Sequence, residues 1–247
     1  MNSIKISVII NSFKGTEKYL EECLESVSAQ TIKPFETILV IDGYQKPMVY
    51  PGITTIIRDI NMGVAFSRDE GVKIMRGTHI LFIDADDVIP ENYISEMIQM
   101  MKWKEVDIVY PPCVLWNKWG TEAPKKNEYF TPPVELTMKD LLKQNYVVIS
   151  SLMKKEVYVQ VGGFDPDLDL FEDWLFFLKA MKLGFKFYRA NTFLKYRQRT
   201  LSRNHHNEEH KIRITEKIRN SILSEMLGMK DPPKIKSFLK KKKTPKK

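Results

Sequence analysis

The chain has little cysteine, no long apolar run and no glycine-rich loop near its start, and each shortage excludes a class of protein. Its two cysteines, Cys23 and Cys113, are too few for a disulfide scaffold in 247 residues, which fits a reducing, cytoplasmic compartment. Neither has a CxxC partner, so both read as buried thiols. No apolar run approaches the roughly 18–20 residues of a membrane-spanning helix. Met1 to Ser7 lacks the charged start, apolar middle and small-residue cleavage site of a secretory signal. The stretch Asn11-Ser12-Phe13-Lys14-Gly15 is too poor in glycine and arginine for the phosphate loop of a nucleotidyltransferase. No internal repeat is present.

Charge of one sign is also scarcer than the total suggests. The net charge is +8, but Lys234 to Lys247 holds eight lysines and no acidic residue. The remainder carries 31 basic and 31 acidic side chains. A neutral body argues against specific nucleic-acid binding. The tail reads as a disordered, solubilising end, as a contact for an anionic membrane surface at roughly 1 kcal/mol per basic residue, or as a non-specific nucleic-acid contact. With 43% hydrophobic and 28% charged residues the chain is an ordinary globular one, large enough to build a core without staples.

Alternating elements then appear. Ile4 to Ile10, Thr37 to Ile41, Ile53 to Ile57, His79 to Ile83 and Val106 to Tyr110 read as strands, mostly apolar on both faces. Helical spacing lies between them: after an expected N-cap at Thr16, over Val64 to Met75 with Gly77 at its end, and over Glu91 to Lys102 after Pro90. This predicts an α/β fold with a single Rossmann-like, mostly parallel sheet flanked by helices. The second half gives a long loop over Trp116 to Pro133, short helices over Leu136 to Gln144 and Glu172 to Lys182, and a strand over Ser150 to Met153. Edge strands follow at Phe185 to Tyr188 and Phe193 to Tyr196. A C-terminal amphipathic helix, Glu208 to Leu227, presents Ile214, Ile218, Ile222 and Met226 on one face.

In such sheets ligands bind past the carboxyl ends of the strands. Asp42 and the cluster Asp84-Ala85-Asp86-Asp87 both lie there. Carboxylates this crowded repel one another. A hard divalent cation, Mg²⁺ or Mn²⁺ shared with diphosphate oxygens, relieves that. A solvated acidic turn with Asp87 capping the next helix is the plainer alternative.

These segments together resemble glycosyltransferase family 2, the inverting transferases of the GT-A fold. That family's opening strand, of the type VSVIIPTYN, is matched by Ile6 to Phe13, ISVIINSF. A VVDDGS-like turn is matched by Val40-Ile41-Asp42-Gly43-Tyr44, and NxGxxxARNxG by Asn61 through Gly71. YILFLDADD is matched by His79 to Asp87, and GGFD by Gly162 to Asp165. The acidic pair before an aromatic is Glu172-Asp173-Trp174. Ile41, Tyr44 and Asp69 depart from the pattern, as does Tyr196 to Ser202 where the family often has a histidine.

The resemblance implies transfer of a sugar from a nucleotide-sugar donor, UDP-linked, to a glycan or lipid-linked acceptor hydroxyl. It implies nucleotide-sugar binding by Asn11, Phe13, Asp42, Arg68, Asp84, Ala85, Arg197 and Arg199, with Asp42 on the base and Asp84 on the ribose or sugar. Arg68 lies near the diphosphate or braces Asp84; a surface helix arginine is the alternative. Asp86 ligates the Mn²⁺ or Mg²⁺, and Asp173 is the general base unless it only complements its helix dipole. Trp116, Glu172 and Trp174 fall to the acceptor. Trp119, Tyr129 and Phe130 either stack on it or pack their own loop. His205, His206 and His210 are extra metal ligands or polar residues at a helix start, and His79 is structural. The expected organisation is a GT-A domain over 1–203, with a nucleotide-sugar half over 1–112 and an acceptor half over 113–203. A helix over 204–230 and a disordered basic tail over 231–247 complete it. The enzyme would be cytoplasmic, peripheral at the inner face of the membrane. A catalytically inactive nucleotide-sugar-binding relative is the alternative; loss of Asp86 or Asp173 would favour it, and both are present.

Overall fold

The computed structural model describes residues 3–44, 50–116, 129–197 and 208–229. Arg199, Trp119, His205, His206 and the lysine tail lie outside the described residues, as does the side chain of Trp116. Strands β1 (Ile6–Phe13), β2 (Glu36–Asp42), β3 (Thr54–Arg58), β4 (His79–Asp84), β5 (Ile108–Tyr110), β8 (Leu152–Lys154) and β9 (Phe187–Arg189) form one sheet. Its order is β3-β2-β1-β4-β8-β5-β9. The pairings β1–β2, β2–β3, β1–β4 and β5–β9 are parallel, while β8 runs against both β4 and β5. The mostly parallel sheet expected from the sequence is therefore present, with β8 as its one reversed strand among those described.

The apolar runs have a direct structural cause. Along β1, Val8 and Ile10 enter one core layer and Ile9 enters the other. Leu39 and Ile41 of β2 pair with the first layer, and Ile38 and Val40 with the second. Successive side chains point to opposite faces, so a strand covered on both sides is apolar throughout. Helices α1 (Leu20–Ser28) and α3 (Tyr93–Lys104) cover one face. On the other lie α2 (Val64–Ile74), α4 (Met138–Lys143), α5 (Lys155–Val161), α6 (Glu172–Lys182) and α7 (Glu208–Leu227). Gly71 brings α2 close to β1, for a Cβ there would stand 2.4 Å from Ile9 Cγ2.

A second, three-stranded sheet supplements the single sheet expected: β10 (Leu194–Arg197), β6 (Cys113–Trp116) and β7 (Tyr129–Phe130), in the order β10-β6-β7. A bridge between Val88 and Lys195 fastens β10 beside the acidic cluster. Phe130 stacks on Tyr146 with centroids 5.9 Å apart, so it packs within the fold.

Several local expectations are corrected. Thr16 is not a helix N-cap; its hydroxyl bonds Phe13 and Ser12 in a turn, and α1 begins at Leu20. The helix after Pro90 starts at Tyr93, because the Tyr93 N–H closes a turn on the Pro90 carbonyl. Helix α5 was not anticipated, and Gly162, at φ +85°, caps it. On α7, Ile214, Ile218 and Ile222 are buried as expected, but Met226 is 38% exposed, since the helix end runs past the core. Cys23 and Cys113 are buried free thiols. Burial and the nearby Lys154 charge hold the imidazole of His79 at about 4, fitting a structural role at the start of β4.

Candidate active site

The carboxyl ends of β1, β2 and β4 face two cavities. The larger, about 690 Å³, is lined by Asn11, Phe13, Asp42, the segment 61–67 and residues 166–169. The smaller, about 300 Å³, is lined by Asp84, Asp86, Asp87, Arg68, Glu172 and Asp173, with Asn145, Ser150, Tyr196 and Arg197. Asn11 and Phe13 border both.

Asp42 lines the larger cavity, as expected, but its two oxygens accept from the Met62 N–H at 2.9 Å and the Gly63 N–H at 3.0 Å. The carboxylate thereby shapes the loop that forms the cavity wall. Gly43, at φ +77°, is required beside it: a Cβ would lie 2.5 Å from the Asn61 nitrogen. Tyr44, which departs from the family pattern, bonds Ser12 Oγ at 2.8 Å and joins the ends of β1 and β2.

Arg68 is no surface residue. It is 1% exposed, its NH2 group donates to Asp84 Oδ1 at 3.0 Å, and its NH1 group donates to Glu172 Oε1 at 2.9 Å. The guanidinium also lies over Phe164, 5.3 Å from the ring centroid. Burial lowers its proton affinity, but Asp84, Glu172 and Asp173 outweigh this and raise it. Glu172 borders the smaller cavity with Oε1 on Arg68, which makes it a brace rather than a group reserved for an acceptor.

Asp173 sits in the first turn of α6, where the helix dipole favours a carboxylate. Its Oδ1 accepts from the Trp174 N–H at 2.7 Å and from Asn145 Nδ2 at 3.3 Å. Asn145 and Ser150 carry no spacing signal in the sequence; each sits beside another polar residue, Gln144 and Ser151.

Asp87 is buried. Burial, then the charges of Asp86 and Asp84, raise its proton affinity well above the usual carboxylate range, against the Arg197 N–H that donates to Oδ1 at 3.0 Å. Arg197 points its Nε at the Asp86 carbonyl, 2.9 Å away, and pairs with Glu22 over the ring of Tyr19. Arg197 reaches the smaller cavity as expected, but its guanidinium braces the backbone of the acidic cluster. His210 pairs with Asp169 at 2.9 Å on the surface, and no group of three or more His, Cys, Asp or Glu side chains among the described residues could hold a metal ion.

Two expected contacts are overturned. Ala85 is wholly buried in the core between the sheet and α1 and α3, so it has no surface for a sugar. Trp174 is 2% exposed, and its indole N–H donates to the Leu141 carbonyl at 2.7 Å. It packs the protein interior instead of an acceptor.

The acidic cluster past the end of β4 and the carboxylate at the start of α6 border one cavity, at the edge where open α/β sheets bind their ligands. The family description "Glycosyl transferase family 2" matches residues 7–162. The chain belongs to glycosyl transferase family 2. An uncharacterized glycosyltransferase of Haemophilus influenzae is 28% identical over 202 residues, covering 77% of this chain and 67% of that protein. The Bacillus subtilis glycosyltransferase YwdF is 28% identical over 188 residues, covering 72% and 69%. Among solved structures, S. aureus TarS 1-349 in complex with UDP superposes with a TM-score of 0.64 at 16% identity, covering 90% of this chain and 66% of that one. The same fragment with UDP-GlcNAc gives 0.63 at 18% identity. The chain thus spans about two thirds of the TarS fragment's length.

The buried Arg68 yields a test. Arg68→Met leaves Glu172 and Asp84 without their cation, and breaking such a buried pair costs roughly 3–5 kcal/mol. Urea unfolding should show a loss of that order, and the double variant Arg68→Met/Glu172→Gln should recover part of it. Equal losses in the single and double variants would exclude the ion pair as the cause.

Proposed function

We propose that this chain is an inverting glycosyltransferase that moves a sugar from a UDP-linked donor to a hydroxyl of a glycan or lipid-linked acceptor. The observation that carries the reading is the convergence of Asp84, Asp86 and Asp173 on one cavity that shares Asn11 and Phe13 with a larger neighbour. The larger cavity suits a nucleoside, having Phe13, Met62, Val64, Phe66 and Leu168 in its lining. The TarS complexes with UDP and UDP-GlcNAc support a uridine donor. The similarity of this chain to a Staphylococcus epidermidis teichoic acid poly(glycerol phosphate) polymerase, 24% identical over 208 residues, supports a surface polymer as acceptor.

In this mechanism Asp173 takes the proton of the acceptor hydroxyl as that oxygen attacks the anomeric carbon. Asn145 Nδ2 and the Trp174 N–H hold its Oδ1 and so orient the carboxylate at the cavity wall. Arg68 fixes the two sides of the cavity through Asp84 and Glu172. The donor set fits a divalent cation: Asp84, Asp86 and Asp87 border one cavity, and burial with the charges of Asp86 and Asp84 raises the proton affinity of Asp87 despite the Arg197 N–H. Asp86 is the residue that would hold Mg²⁺ or Mn²⁺, with Asp84 beside it, and the bound ion supplies charge neutralisation to the diphosphate leaving group.

Three measurements follow from this reading. Asp173→Asn keeps the shape of the side chain and removes the base, so kcat should fall by roughly 10²- to 10⁴-fold with donor affinity little changed. Retained turnover would take the base assignment away from Asp173. For Asp86→Ala, calorimetric titration with UDP should lose its enhancement by Mn²⁺ while thermal melting stays near that of the parent; full turnover of the parent protein in excess chelator would sink the cation assignment.

The third concerns the tail, which supplies all of the excess positive charge. Deleting Lys234 to Lys247 should lower co-sedimentation with anionic vesicles and leave turnover on a soluble acceptor unchanged. Equal vesicle binding at low and moderate salt would refute a membrane contact. Among the described residues no helix is long and apolar enough to cross a membrane.

A further inference from the structure

We infer that Asn11 is a specificity-determining residue of the donor site, and that its carboxamide reads a ribose hydroxyl of the nucleotide. The inference rests on the donor reading above and adds one named contact to it. Asn11 lies near the end of β1, in register with Asp84 on β4 and Val40 on β2. The residue is 3% exposed, and its Oδ1 is buried with no hydrogen-bond partner among the described residues. A buried polar atom left in that state is destabilising. Its neighbour Ser12 is engaged by Thr16 and Tyr44, which leaves Asn11 as the polar group at this edge with no structural duty assigned to Oδ1. Asparagine is also disfavoured within strands. The family pattern quoted above has proline at this place, so the carboxamide is an addition of this chain.

The surroundings select the chemistry of the missing partner. Oδ1 only accepts, and an ionised phosphate oxygen carries no proton to give. A hydroxyl satisfies the carboxamide in either orientation of the amide, donating to the oxygen or accepting from the nitrogen. The location selects which hydroxyl. Among the described residues only Asn11 and Phe13 line both cavities. With the base in the larger cavity and the reacting bonds in the smaller, the part of the donor at their shared wall is the ribose.

The test compares UDP with 2′-deoxy-UDP and 3′-deoxy-UDP by calorimetric titration. The parent protein should bind one deoxy analogue roughly tenfold more weakly than UDP, the effect of leaving a buried acceptor unpaired. Asn11→Ala should weaken UDP by about the same factor and leave that analogue unchanged, so that discrimination disappears. Asn11→Ser provides a second variant, and the parent's own discrimination reads the contact without any substitution. Unchanged affinity of Asn11→Ala for UDP overturns the inference. So does a loss confined to UDP-GlcNAc, which would move the contact to the transferred sugar. A parent protein that binds no UDP overturns the donor reading itself, and the inference with it.

Discussion

The site depends on one buried cation. Arg68 projects from α2 between the end of β4 and the start of α6 and holds a carboxylate on each side. Asp84 and Glu172 are 88 residues apart in the chain, and no strand pairing links β4 to α6. The guanidinium is suited to this because its donors form a rigid planar fork that serves two carboxylates at once, which a lysine ammonium does not. Removing water around it strengthens both contacts, and the same burial would make either carboxylate costly if left alone. The β4 side and the α6 side of the small cavity are therefore tied in one geometry.

Negative charge at the strand end is organised less symmetrically. Asp84 has Arg68, and Asp87 accepts the Arg197 N–H from β10. The side chain of Arg197 goes to a carbonyl of the cluster and to Glu22 on α1. The small sheet thus acts as a clamp on the backbone of the acidic turn, through Val88 and Lys195 as well as Arg197. The proton affinity of Asp87 is still raised by Asp86 and Asp84 after burial. A turn held this firmly cannot relax its crowded carboxylates by spreading.

What could be read from the sequence follows from how local each signal is. The apolar runs at Ile4 to Ile10 and His79 to Ile83 gave the buried strands, because covering on both faces leaves a continuous pattern. The positions of Asp84 and Asp86 at a strand end and of Asp173 at a helix start are legible in the sequence, and the fold brings all three to one cavity. Glu172 to Lys182 has its helical bounds written in its own stripe of apolar residues. Contacts made across the fold were less accessible. Nothing near Arg68 announces that it is buried, and nothing in Asn145 announces Asp173 as its partner 28 residues on. Trp174 was misread for a related reason: an aromatic beside an acidic pair looks like a sugar platform until the position of Leu141 is known. Tyr44 and Ser12 likewise meet only because β1 and β2 are parallel neighbours.

The segment from Pro166 to Asp173 shows how these facts combine. Residues 166–169 line the larger cavity and residues 170–173 line the smaller, so eight consecutive residues are divided between the two walls. Between them Phe171 adopts φ +63°, an uncommon conformation for a side chain of that size and one that costs about 1 kcal/mol or more. Packing holds it there: Phe171 meets Trp174 edge to face with centroids 5.9 Å apart, and the indole is fixed by the Leu141 carbonyl. The left-handed turn makes Glu172 and Asp173 the first turn of α6, with the former on Arg68 and the latter at the cavity. Trp174 therefore shapes the cavity from the interior: it anchors the bend that brings Asp173 to the cavity wall, and its own indole stays buried.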